Sequence, residues 1–165
     1  CGISGVTKKE ETLADGAATV AALSAAVTAM DDEEVTATGR YLFITPTLLQ
    51  GINDMDTTKS KKVLEGFEQV IKVPQRRFYT AIKQLSGKTG EEAGGYTKAA
   101  GAANINFAIV QKDALIQYTK HAAPKIIAPE NNPDADAYVF GYRMVGIAKA
   151  YKNMLSGMYF SHDKA

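Results

Sequence analysis

A single cysteine, no tryptophan and only two histidines set the first limits on this chain of 165 residues. One cysteine, Cys1, excludes an internal disulfide framework and a cysteine-built zinc site. The histidines, His121 and His162, lie far apart in sequence, and no cysteine or carboxylate stands at ligand spacing around either, so a structural histidine is the expectation for His121. Charge of one sign is also missing: 19 basic side chains face 18 acidic ones, for a net charge of +1. No global field therefore draws the protein to nucleic acid or anionic lipid, and any such contact needs a local patch. Long apolar runs are absent too. The longest, residues 17–30, is about 14 residues against roughly 20 for a bilayer span, and no charged-then-apolar leader precedes it. Nor is there a glycine fingerprint for cradling phosphate, neither Gly-x-Gly-x-x-Gly nor Gly-Lys-Ser/Thr. The chain has no initiator methionine, which reads as a processed product or part of a longer reading frame.

What is present is globular. Apolar residues make up 45% and charged residues 22%, and a chain of this length buries about two-thirds of its unfolded surface without a metal or disulfide staple. It reads as one domain, or one domain with an appendage.

Cys1-Gly2-Ile3 opens a specific possibility, because glutamine amidotransferases of the N-terminal-nucleophile class begin in this way and use the free α-amine as base for the thiol. Such an enzyme also needs an arginine for the substrate carboxylate and an Asn-Gly pair for the oxyanion. The four arginines, Arg40, Arg76, Arg77 and Arg143, form no such pattern and there is no Asn-Gly dipeptide. A lipid-modified Cys1 is a further alternative, and a cut site that leaves cysteine first is the plain one.

Residues 1–9 read as a loop. Thr12 as N-cap, with Leu13, Ala17, Val20, Leu23, Val27 and Met30 at helical spacing, predicts an amphipathic helix of about five turns. Asp31 to Glu34 reads as solvated, without the glycine and spacing of a calcium loop. Tyr41 to Ile44 predicts a short buried strand, and Thr45-Pro46 the cap and first turn of a short helix. The lysine-bearing stretch 53–62 reads as a polar loop. Residues 67–73 predict a strand ended by Pro74. Arg76-Arg77 beside Phe78-Tyr79 could stack on bases, but ion pairing within or between subunits is the simpler use. Residues 85–104, rich in glycine, read as a long loop suited to binding or assembly. Ile105 to Val110 predicts a core strand. Residues 112–120 fit helix or strand. Residues 129–134 carry every turn signal. The last segment predicts a hairpin of long strands, 138–151 and 154–160, turning at Lys152-Asn153. In it Phe140, Tyr142, Met144 and Ala148 share one face, and Val139, Arg143, Val145, Ile147 and Lys149 the other.

Taken in order, several of these pieces resemble the C-terminal half of the major capsid (coat) proteins of tailed bacteriophages, notably phages of Gram-positive bacteria. They are Gly39-Arg40-Tyr41-Leu42-Phe43-Ile44-Thr45-Pro46, Val73-Pro74-x-x-Arg77-Phe78, Gly95-Tyr96-Thr97, Ile105-Asn106-Phe107-x-Ile109-Val110, Lys120-His121-x-x-Pro124, and Ala135-Asp136-Ala137-Tyr138-x-Phe140-x-Tyr142-Arg143. The likeness covers roughly residues 10 to 163.

The resemblance implies an α+β capsid-type fold. Residues 1–9 would be a flexible lead, 10–118 an axial-type domain, and 119–165 the β-strands of a peripheral-type domain. The family's N-terminal arm, extended loop and long spine helix are not visible in this sequence. The implied role is a self-assembling shell subunit and not an enzyme, with no catalytic, cofactor-binding or metal-binding residues. Its partners would be other copies of itself, a scaffolding protein, and packaged DNA bound without sequence specificity at the inner face, with no membrane. Its place would be the virion, after assembly in the bacterial host cytoplasm.

Overall fold

Seven buried residues in a row, Ile105–Gln111, form the strand that the rest of the first unit packs around. A computed structural model describes residues 4–164, in two units. The first runs to Ala114 and resumes at Lys152; the second is Leu115–Tyr151.

In chain order the first unit carries β1 (Thr7–Glu10), α1 (Gly16–Asp32), β2 (Arg40–Ile44), α2 (Pro46–Asp54), α3 (Thr58–Glu65), β3 (Gln69–Lys72), β4 (Ile82–Gln84), β5 (Tyr96–Lys98) and β6 (Ile105–Gln111). After the second unit's β7 (Leu115–Ile127) and β8 (Val139–Ala150) comes β9 (Met158–His162). One sheet has the order β1-β9-β6-β2-β3, with β1 parallel to β9 and β3 parallel to β2; β4 and β5 make a separate small hairpin. Register aligns the core: Leu42, Ile109 and Tyr159 face one another across three strands, with Ile44 opposite Phe107 in the next layer. Val20, Leu23, Ala26 and Met30 of α1, and Leu49 and Ile52 of α2, close over that face.

Close approach of the helices depends on glycine. A Cβ at Gly16 would run into the backbone carbonyl of Gly51 in α2. Alanine usually improves a helix by about 0.5–1 kcal/mol over glycine, yet overpacking costs about 1–3 kcal/mol, so the clash decides the sign. Gly16→Ala is expected to lower the urea midpoint with an unchanged m-value. A raised midpoint would mean that α1 and α2 part more easily than their contact indicates.

Several expectations need correction. Residues 7–9, read as part of a loop, belong to β1, held to β9 from Thr7↔Tyr159 to Glu10↔His162. The N-cap of α1 is Asp15 and not Thr12: the Ala18 N–H donates to its Oδ1 at 2.7 Å. Part of the lysine-rich 53–62 stretch is α3, started by a reciprocal bond pair between Thr57 and Ser60. The glycine-rich 85–104 stretch contains β5. Residues 112–114 are a 3-10 turn, and the strand begins at Leu115.

The largest correction concerns the last segment. β8 does not pair with residues 154–160; it pairs antiparallel with β7 along its whole length, and the Pro/Asn/Asp loop is the turn. Lys152–Gly157 is a 3-10 passage into β9, which returns to the main sheet between β1 and β6. The physical boundaries therefore fall at 114/115 and 151/152, and the final strand belongs to the first unit.

Candidate assembly surface

β7 and β8 are 13 and 12 residues long and make a two-stranded sheet of their own, so among the described residues both outer edges lack a strand partner. Directly paired residues of an antiparallel ladder share a face, and the register from Leu115↔Ala150 to Ile127↔Val139 sorts every paired side chain. One face carries Leu115, Gln117, Thr119, Ala122, Pro124 and Ile126 from β7, with Phe140, Tyr142, Met144, Gly146, Ala148 and Ala150 from β8. No charged residue is among them. The other carries Ile116, Tyr118, His121, Ala123, Lys125 and Ile127 opposite Lys149, Ile147, Val145, Arg143, Gly141 and Val139. A bulge between Thr119 and His121 leaves Lys120 unpaired in the ladder and keeps the faces in phase beyond it.

The uncharged face is open to solvent: Phe140 is 75% exposed and Tyr142 70%. Ile126, Met144 and Leu115 are exposed beside them. Isolated apolar side chains on a surface are ordinary, but a contiguous stripe of this kind marks a surface that is covered in the working state. Long unpaired strand edges point the same way. The face division within β8 is the one the sequence predicts; what sequence periodicity missed is the partner strand, because alternation reports faces and not neighbours.

Charge is unevenly placed as well. The arms of this hairpin hold Lys120, Lys125, Arg143 and Lys149 and no carboxylate, whereas Glu130, Asp134 and Asp136 all sit in the turn. All seven are exposed, and none takes part in an ion pair among the described residues. His121 stands on the cation-bearing face opposite Val145, away from any cluster that could hold a metal; among the described residues no such cluster occurs.

A second surface lies on the first unit, at the β4–β5 hairpin. Its loop is held by Glu91, which accepts from the Lys83 Nζ at 2.6 Å and from both the backbone N–H and the hydroxyl of Ser86 at 2.8 Å. The Lys83 ammonium first, then the Ser86 donors, hold the Glu91 carboxyl down at about 2. A depressed folded-state value means that this contact contributes fully above the usual carboxylate range near 4.5 and is lost as pH falls from there toward about 2. The Ser86 amide NMR signal is therefore expected to stay in place from pH 7 to pH 4 and to move only near pH 2, and Glu91→Gln is expected to remove that transition. A midpoint near pH 4.5 would show that the loop contact does not persist in solution.

The candidate catalytic and binding residues lie apart among the described residues. Cys1 lies outside the described residues. The cleft between the start of α1 and α2 is lined by Asp15, Thr47, Gln50 and Asp54; Asp15 caps α1 and Asp54 accepts from the Gln50 amide at 2.6 Å. Arg76 and Arg77 lie in a 3-10 turn, with no ion pair to either among the described residues. Among the described residues no helix is long and apolar enough to cross a membrane.

No protein-family model and no curated protein matches the sequence. Solved structures do. A structure from Mycobacterium phage Che8 superimposes with a TM-score of 0.56 at 8% identity, over 94% of this chain and 53% of that one. The capsid structure of the cyanophage P-SCSP1u superimposes with a TM-score of 0.55 at 18% identity, over 96% of this chain and 53% of that one. The chain thus spans about half the length of the structures it matches, and its α+β fold is the phage capsid fold.

Proposed function

We propose that this chain is structural: part of the major capsid subunit of a tailed phage, building the icosahedral shell around packaged DNA by binding copies of itself. The observation that carries this reading is the long hairpin with one wholly uncharged, solvent-open face, on a chain whose fold is that of a phage capsid. An enzyme needs a pocket with converging polar groups. A shell subunit needs extended complementary surfaces, each modest alone and repeated around closed symmetry. In this reading the first unit is the axial-type domain, the hairpin supplies peripheral-type strands, and the chain corresponds to the C-terminal half of a subunit from a phage of Gram-positive bacteria. Assembly takes place in the host cytoplasm with a scaffolding protein. DNA at the inner face meets scattered lysines without sequence readout. No observation favours the amidohydrolase alternative, and Cys1→Ala is expected to leave the shell unchanged.

The test is negative-stain electron microscopy of the protein expressed from its full reading frame. Closed uniform shells or capsomer rings are the expected result. Small monodisperse particles only, at high concentration and with scaffolding protein supplied, would overturn the reading.

A further inference from the structure

The hairpin's charges divide in a way that its own fold does not use. Arg143 pairs across from Ala123 and so lies diagonally between His121 and Lys125 on one face; diagonal neighbours across a ladder are about 7–8 Å apart. Lys149 continues the row six residues along β8, roughly 20 Å at the rise of a strand. The three carboxylates of the unit are confined to the turn, in a segment of seven residues. Among the described residues none of these groups bonds to its opposite, although the Lys125 end of the row is only a few residues from the turn. Both halves of an ion-pairing surface are therefore exposed, unpaired, and present in equal copy number in any assembly of this chain.

We propose that the acidic turn of one copy docks on the cationic face of a neighbouring copy's hairpin, with Glu130, Asp134 and Asp136 set against Lys125 and Arg143. This rests on the shell reading above and adds to it the sense of one contact. Turn and face are different patches, so the contact is made either once per neighbour, head-to-tail around a ring, or twice about a twofold axis, and in both cases each copy supplies one turn and one face. Exposed pairs are individually weak; their use here is to fix register and orientation while apolar surface supplies affinity. Packaged DNA is the competing occupant of the cationic face. The complementary anion built into the same unit favours a second copy, because the acidic turn would repel a polyanion lying along the hairpin.

Charge reversal separates these occupants. In the full-reading-frame protein, Lys125→Glu with Arg143→Glu, and separately Glu130→Lys with Asp134→Lys and Asp136→Lys, are each expected to cut the yield of shells or rings at least tenfold. The protein carrying both sets is expected to recover most of that yield. Thermal melting of the first unit should be the same in all three. Recovery absent from the combined protein would overturn the proposal. So would intact shells in both reversed proteins with only the Lys125/Arg143 variant failing to retain DNA, which would give the face to nucleic acid. If a reversed protein misfolds, carbodiimide cross-linking of the unmodified assembly decides: an intermolecular Lys125 link to the turn carboxylates supports the contact, and its absence rejects it. Failure of the unmodified protein to assemble removes the shell reading and this contact together, whereas normal assembly insensitive to reversal removes this contact alone.

Discussion

Phe107→Ala is expected to destabilise the first unit by about 3–5 kcal/mol, a large part of the 5–15 kcal/mol that holds a typical domain folded. Phe107 has no exposed surface, sits at the centre of β6 between β2 and β9, and stacks on Tyr159 with ring centroids 6.2 Å apart. Its removal opens a cavity between the sheet and the helices, where rigid strand neighbours on both sides leave little room to collapse. The informative comparison is Phe140→Ala, the same chemical change on the open face of the hairpin. There the expected change in stability is under about 0.5 kcal/mol, while the yield of assembled particles falls. Urea unfolding and particle yield measured on both variants would separate folding from assembly. If Phe140→Ala unfolds the protein as severely as Phe107→Ala, the hairpin face is not an open surface in solution.

Arg40→Met is expected to cost about 2–4 kcal/mol, from charged hydrogen bonds worth about 1.5–3 kcal/mol each and the stranding of their acceptors. Only 2% of this arginine is exposed. Its Nε donates to the Thr36 carbonyl at 3.1 Å, and its Nη2 donates both to Asp31 Oδ1 at 2.6 Å and to the Val35 carbonyl. The guanidinium thereby joins the end of α1 to the start of β2 and offsets the acidic run at the helix C-terminus. Asp31→Asn should matter far less, under about 1 kcal/mol, because the Asp31 side chain is 55% exposed and solvent screens the pair. Chemical denaturation of both variants tests the ranking. Equal losses would place the energy in the ion pair, and a loss below 1 kcal/mol for Arg40→Met would remove the arginine as an organising group.

Elements with strong local signals were legible in the sequence. The INFAIV run announces a buried strand by composition, α1 by spacing, and α2 by Pro46 at its first turn. The face division of β8 was equally readable, since period two sorts side chains whatever the strand pairs with. The partner of β8 was not readable: Lys152-Asn153 is a plausible turn, and only long-range packing decides that β9 fills the gap between β1 and β6. α3 was hidden by lysines that suggested a solvated loop, although Thr57 and Ser60, three apart, carry the capping signal. Arg40 could be quoted as part of a motif without its role being visible, because its acceptors, the Thr36 and Val35 carbonyls and the Asp31 carboxylate, come together only once α1 ends where it does. Of the candidate surface, the apolar stripe was half legible, and the separation of charge between arms and turn needed the true pairing of β7 with β8.

The position of the hairpin in the chain also bears on the rate of folding. Val110 and Met158 pair in the main sheet across about 48 residues of chain, most of it the hairpin. Closing such a loop directly carries an entropy penalty that shrinks by roughly 0.6 kcal/mol for each halving of its length. Hairpins form in about 1–10 μs, well before long-range sheets. Once Leu115 meets Ala150, the chain left to close is about a quarter as long, which lowers the penalty by about 1.2 kcal/mol. Apart from any docking role, the hairpin thus shortens the search by which β6 finds β9.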